Sequence, residues 1–265
     1  ALVSDDQIAA LFSDTAQIRA MLTVEAALAR AQAEAGTVPA AAARQITAAA
    51  GALMVAPAVL AAGTAAAGVP ISALVSALRE AARADAAEHV HKGATSQDIV
   101  DTALILRLRE ALDLLSARLE ALTRTLARQA DAHRGTVMAA RTRWQQATPT
   151  TLGLKIAGWI APLIRHRDRL VELRPRLLVV QLGGASGTLA AFGSSGLAVT
   201  EGLARQLALG VSPMPWHTQR DALVELAGWL ALVTGATGKM GTDLVLLAQS
   251  EVGEVRAGRG GGSST

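Results

Sequence analysis

His91 is followed within a few positions by Thr95, Ser96, Gln97, Asp98 and Asp101. This places an imidazole beside hydroxyls, an amide and two carboxylates. An imidazole with an ordinary pKa of about 6.5 suits proton transfer near neutrality. Thr95 or Ser96 can cap a helix beginning there, and the free N–H groups and dipole of such a start favour a bound anion. A capped helix start with a surface histidine would carry the same residues, because capping signals are common.

Three further stretches have comparable polar density. Arg141, Thr142, Arg143 and Gln146 precede an apolar periodic segment, and two guanidinium groups near a helix start can hold carboxylates in bidentate fashion. A solvated loop covering helix ends reads the same way. The run Gln181-Leu182-Gly183-Gly184-Ala185-Ser186-Gly187-Thr188 is a glycine-rich turn with hydroxyls at Ser186 and Thr188. It lacks the G-x-S-x-G spacing of a hydrolase elbow and the G-x-G-x-x-G of a dinucleotide turn, and a plain helix–helix connection remains open. Pro215-Trp216-His217-Thr218-Gln219-Arg220-Asp221 leads into another apolar segment. There Gln219 and Arg220 can grip a carboxylate, or Asp221 can neutralise Arg220. Gly238-Lys239 is not a phosphate loop, because Val233 stands where its first glycine belongs. His89 and His91 lie near Asp85 and Glu88 but lack a further clustered ligand, so no metal is expected.

The elements that must position these residues read as helices. Apolar positions recur at helical spacing over 5–35, and shorter helices follow over 40–56, 58–66 and 72–87. From Ile99 to Ala132, leucines at 104, 108, 112, 115, 119, 122 and 126 step by four and three, a seam suited to antiparallel bundle packing. Leu152–Leu177 and Leu223–Leu247 have the same character, with bends expected near Pro162 and Pro175, and a shorter helix covers Ser194–Leu209. Strand alternation is almost absent, so the expected class is all-α. It comprises a small N-terminal helical domain over 1–98 and a long-helix bundle over 99–265.

Composition excludes several classes. Without cysteine there is no disulfide framework or thiol nucleophile. The formal charge is only +3, and no basic run is interleaved with aromatics, so no nucleic-acid partner is expected. The uncharged stretch from Gln45 to Leu78 is rich in alanine and interrupted by Pro57, Gly63, Gly68 and Pro70. That suits closely packed soluble helices rather than a membrane span. No secretory signal is visible, so a cytoplasmic location is the default.

HKGATSQDIVDTA resembles the first signature region of the fumarase/aspartase superfamily. PWHTQRD, with the glycine turn at 183–187, narrows the resemblance to its 3-carboxy-cis,cis-muconate lactonizing enzymes. The arginine-rich segment is similar to the second signature, with Arg143 where many lyases carry histidine and Gln146 where the proline falls, or a histidine in some lactonizing relatives. The resemblance implies an L-aspartase/fumarase-like fold whose C-terminal part lies beyond this chain. It also implies a homotetramer with shared active sites, no cofactor, and cycloisomerisation of a small polycarboxylate. Gly262-Ser263-Ser264 resembles the opening of the family's mobile loop, although composition alone reads 258–265 as a flexible tail. By the resemblance Ser263 is the acid/base and His91 its helper, with Thr95, Ser96, Gln97, Arg141, Thr142, Arg143, Gln146, Ser186, Gln219 and Arg220 binding substrate. An adenylosuccinate-type lyase, a non-catalytic helical oligomer and a substrate-binding fragment without turnover are the alternatives.

Overall fold

The computed structural model describes residues 5–256. The chain groups into two compact units, one formed by the chain up to Leu114 with Arg174–Ala222, the other by Leu115–Leu173 with the chain from Leu223 onward. A division at residue 98 would place the start of the long helix and the 174–222 segment with the bundle. Contacts instead group both with the N-terminal helices.

The first unit opens with α1 (Asp6–Leu11) and α2 (Asp14–Glu34). The single helix expected over 5–35 is broken because Ser13 adopts an extended conformation and its hydroxyl accepts the Ala16 N–H at 3.2 Å, capping α2. Helices α3 (Ala40–Ala52), α4 (Pro57–Ala67), α5 (Ile71–Ala82) and α6 (Ala84–Ala87) follow. Arg83, at φ 69°, divides the helix expected over 72–87. The core is built from Leu22, Leu28, Ile46, Leu74, Leu78 and Ile99, all almost fully buried. Small residues let helices approach closely: a Cβ on Gly202 of α9 (Gly196–Leu207) would lie 3.0 Å from the Ala31 Cβ of α2.

The long helix α7 (Ser96–Ala132) has 37 residues, about 55 Å at ~1.5 Å per residue. Of its leucine seam only Leu112 and Leu119 are buried, and Leu104, Leu108, Leu115, Leu122 and Leu126 are half-buried. In the second unit, β1 (Val137–Thr142) and β2 (Gln145–Thr151) form an antiparallel hairpin ahead of α8 (Leu152–Leu177). This hairpin is an addition to the expected all-α class. Among the described residues the fold is all-α apart from this hairpin and a two-residue parallel pairing of β3 (Val179–Val180) with β4 (Gly210–Val211). Pro162 and Pro175 both lie within α8, which continues through them. In α10 (Asp221–Leu247) only 6% of the most apolar stretch is buried. By length and composition α10 is apolar enough to cross a membrane, but Glu225, Lys239 and Asp243 interrupt it. Indole N–H groups tie this unit together: Trp159 donates to Asp243 at 2.6 Å and Trp229 to the His166 carbonyl at 2.7 Å.

Candidate functional site

In the first unit, three of the polar stretches meet at the N-terminus of α7, and Asp98 is the residue that joins them. Its carboxylate is 1% exposed. Oδ2 accepts the Thr95 N–H at 2.9 Å, as the third residue of a capping box does, and the Gly184 N–H at 3.0 Å. Oδ1 accepts the Gly183 N–H at 2.9 Å, His217 Nε2–H at 2.7 Å and the Gln181 side-chain amide at 3.3 Å. Gln181 in turn accepts the Trp216 N–H at 2.6 Å. Below it, Thr102 exchanges hydrogen bonds with the Gln181 backbone at 2.9 and 3.0 Å. Glycine is required at 183, where a Cβ would fall 2.8 Å from both His217 Cε1 and Pro215 Cβ, and at 184, where φ is +68°.

The dipole of α7 already faces an internal anion, since charge at a helix N-terminus is stabilised whether it comes from a ligand or a side chain. Asp101, 3% exposed, likewise occupies two residues expected to hold substrate. Its Oδ2 pairs with Arg220 at 2.9 Å and its Oδ1 accepts the Gln97 amide at 2.8 Å. Arg220 also lies over the Trp216 ring at 5.3 Å. The partner of Arg220 is therefore Asp101 rather than Asp221. Gln219 and Ser186 are exposed, Ser186 sharing a hydrogen bond with Thr188 at 3.1 Å, and Thr95 and Ser96 are half-buried.

His91 lies in the turn leading to α7, at φ +60°, a conformation an L-residue occupies at a cost of about 1 kcal/mol. Its Nδ1–H donates to the Glu25 carboxylate at 2.6 Å. Glu25, on α2, is 1% exposed, so the imidazole is anchored from the core. With Nδ1 held, Nε2 is the nitrogen left to exchange a proton with a ligand. The turn continues to the glycine segment, where a Cβ on Gly184 would be 3.0 Å from the Gly93 carbonyl oxygen.

Arg141, Thr142, Arg143 and Gln146 are carried by the second unit. They sit on the hairpin, not on a loop beside a helix start, and all four are exposed. Arg143 and Trp144 form its turn at φ 49° and 65°. A cavity of about 520 Å³ adjoins the hairpin, lined by Arg141, Arg143, Trp144, Lys155 and Asp243 among others. Arg141 is already paired with Glu254 at 2.6 and 3.0 Å, and the hydrogen bond to that carboxylate raises its pKa further. Burial would push the Asp243 carboxyl up, but hydrogen bonds from Lys239 and Trp159 and the charges of Lys155 and Lys239 hold it below the ordinary range. Arg143 has no ion pair among the described residues, which makes it the free cation of the hairpin. Ser263 lies outside the described residues.

The family model described as Lyase matches residues 2–265. The chain belongs to the lyase family. Among lyase-family proteins, the 3-carboxy-cis,cis-muconate cycloisomerase of Pseudomonas aeruginosa is 52% identical over 96% of this chain and 57% of its own. The 3-carboxy-cis,cis-muconate lactonizing enzyme of Pseudomonas putida superposes with a TM-score of 0.90 at 48% identity, covering 96% of this chain and 60% of that one. A fumarate lyase from Mesorhizobium sp. BNC1 gives a TM-score of 0.92 at 45% identity, over 94% and 59%. The chain thus spans about three-fifths of the length of these lyase-family relatives. The resemblance to the lactonizing branch and the all-α class are both borne out.

Sequence reasoning did not single out Asp98, Asp101, Glu25, Gln181 or His217 as site residues. Asp98 and Asp101 fall within the motif itself, so their position was a signal. Their partners, more than 80 residues away in most cases, were not.

Proposed function

We propose that this chain belongs to a cofactor-free cycloisomerase that converts 3-carboxy-cis,cis-muconate to carboxymuconolactone in aromatic catabolism. The observation that carries the reading is the convergence on Asp98 of the three stretches that resemble the lactonizing branch. One substrate carboxylate adds across a double bond of the same molecule, forming the lactone C–O bond. The electron pair passes toward the neighbouring carboxylate, and the carbon is then protonated. Such a reaction needs fixed donors aimed at the developing charge and a positioned acid. His91, oriented by Glu25, supplies or steers a proton through Nε2. Ser263 is the loop acid/base, assisted when loop closure excludes water. Thr95, Ser96, Gln97, Ser186, Gln219 and Arg220 line the substrate from one subunit, and Arg141, Thr142, Arg143 and Gln146 from another.

Assembly as a homotetramer with shared sites is part of this reading, as is a cytoplasmic location. Exposed Val224, Leu230, Leu232, Leu244 and Val245 on α10 support the assembly, because a run of exposed apolar side chains on one helix marks a surface that packs against other protein. The test is an ultraviolet assay with 3-carboxy-cis,cis-muconate, with fumarate release from succinyl adducts followed in parallel. Loss of the diene absorbance without fumarate is expected; fumarate release with no loss of diene would replace the cycloisomerase by a lyase. Ser263→Ala retaining turnover within a few-fold would remove Ser263 from the mechanism.

A further inference from the structure

Arg107 lies on α7 nine residues beyond Asp98, about 14 Å along the helix at ~1.5 Å per residue. The residue is only 9% exposed. Nε donates to the Ala103 carbonyl at 3.3 Å, and the guanidinium lies 5.6 Å from the centre of the Phe12 ring. No carboxylate among the described residues pairs with it. Burial draws its pKa below the ordinary value, yet a guanidinium keeps its proton at any working pH. A permanent charge therefore sits in a poorly solvated place without a counter-ion, an arrangement that is costly unless something pairs with it.

Beside it is a cavity of about 340 Å³ in the first unit, lined by Arg19, Arg107, Arg109, Thr23 and Glu110 among others. Two more guanidinium groups thus face the same space. Each is fixed by Nη1. That of Arg19 donates to the Ala50 and Gly51 carbonyls at 3.0 and 3.1 Å, and that of Arg109 to Leu207 and Ala208 at 2.7 and 3.1 Å. These bonds tie down the carbonyl ends of α3 and α9, and among the described residues neither guanidinium has a carboxylate partner. Against three positive groups, Glu110 is the one carboxylate of the lining, and it is exposed.

From this geometry we infer that the first unit has a second anion site, in which Arg107, with Arg19 and Arg109 around it, takes a small dianionic oxyanion. The class is a phosphate or a short dicarboxylate, whose paired oxygens match the planar fork of a guanidinium. The site is separate from the cluster at Asp98 and His91, and it does not rest on the cycloisomerase reading.

The experiment is titration calorimetry of the protein in a chloride buffer, with inorganic phosphate in one arm and succinate in the other. Wild type, Arg107→Gln, Glu110→Gln and Arg134→Gln, the last an exposed cation outside the cavity, are compared. The expected result is millimolar or tighter binding that weakens at least tenfold in Arg107→Gln, strengthens several-fold in Glu110→Gln and is unchanged in Arg134→Gln. That pattern in both arms assigns a general dianion site; in the phosphate arm alone it assigns a phosphate-bearing ligand. Circular dichroism verifies that Arg107→Gln is folded, and if it is not, Glu110→Gln decides alone. Isotherms indistinguishable between wild type and the folded Arg107 and Glu110 variants overturn the inference, as does an absence of binding by wild type in both arms.

Discussion

Replacing Asp98 by asparagine removes one acceptor oxygen from a buried carboxylate while leaving its shape almost unchanged. The new amide NH₂ must stand at Oδ1 or at Oδ2. At Oδ1 it opposes the Gly183 N–H, the Gln181 amide and His217; at Oδ2 it opposes the Thr95 and Gly184 N–H groups. The second choice costs less, yet it still points donor at donor twice. A donor left unsatisfied inside a protein costs about 1–3 kcal/mol, so Asp98→Asn should destabilise the first unit by about 2–6 kcal/mol. That is a large part of the ~5–15 kcal/mol that holds a typical domain together. Urea unfolding followed by far-ultraviolet circular dichroism measures it. With a slope of roughly 2 kcal/mol per molar, the midpoint of the transition should fall by about 1–3 M. Asp221→Asn, an exposed substitution, is the control and should shift it little. A loss below about 0.5 kcal/mol for Asp98→Asn would refute the assignment of Asp98 as the joint of the three stretches.

Three more outcomes follow from the geometry. A Cβ on Gly153 would lie 2.5 Å from the Ala130 carbonyl oxygen and 2.7 Å from Arg134 Cα, both backbone atoms; Gly153→Ala should cost about 1–3 kcal/mol in thermal unfolding. Buried His166 has its pKa lowered from 6.5, first by burial and then by Arg169 and Arg165. The unfolded chain binds the proton more readily, so stability is complete above pH 6.5 and declines as pH falls from there through the lowered folded value; His166→Gln should flatten that part of the stability–pH curve. Glu25→Gln leaves His91 in place but weakens its anchor, and kcat should drop by roughly tenfold or more with KM little changed; an unaltered kcat would separate Glu25 from the chemistry.

Much of the helical frame was legible because periodicity is local. The leucine seam of α7 marked a helix from residue to residue, and the helical spacing over 5–35 ended within one residue of the end of α2. The hairpin was not legible. Tight hairpins of this geometry place two residues at positive φ and usually announce themselves by asparagine and glycine, whereas here Arg143 and Trp144 take those positions. Arg83 hides a helix break for the same reason. At the site, residue types pointed to His91 and the 95–98 turn, but pairing partners cannot be read from spacing. Arg220 turned to Asp101 and Arg141 to Glu254, so two cations expected to meet substrate are already balanced by the protein.

The most direct test of the account is a crystal structure of the protein with a tricarboxylate analogue of 3-carboxymuconate bound. The account predicts the ligand at the Asp98-centred cluster, with a carboxylate oxygen or the reacting carbon within reach of His91 Nε2 and of the Thr95–Ser96 turn. A fully occupied ligand that touches neither His91 nor that turn in any subunit would contradict it.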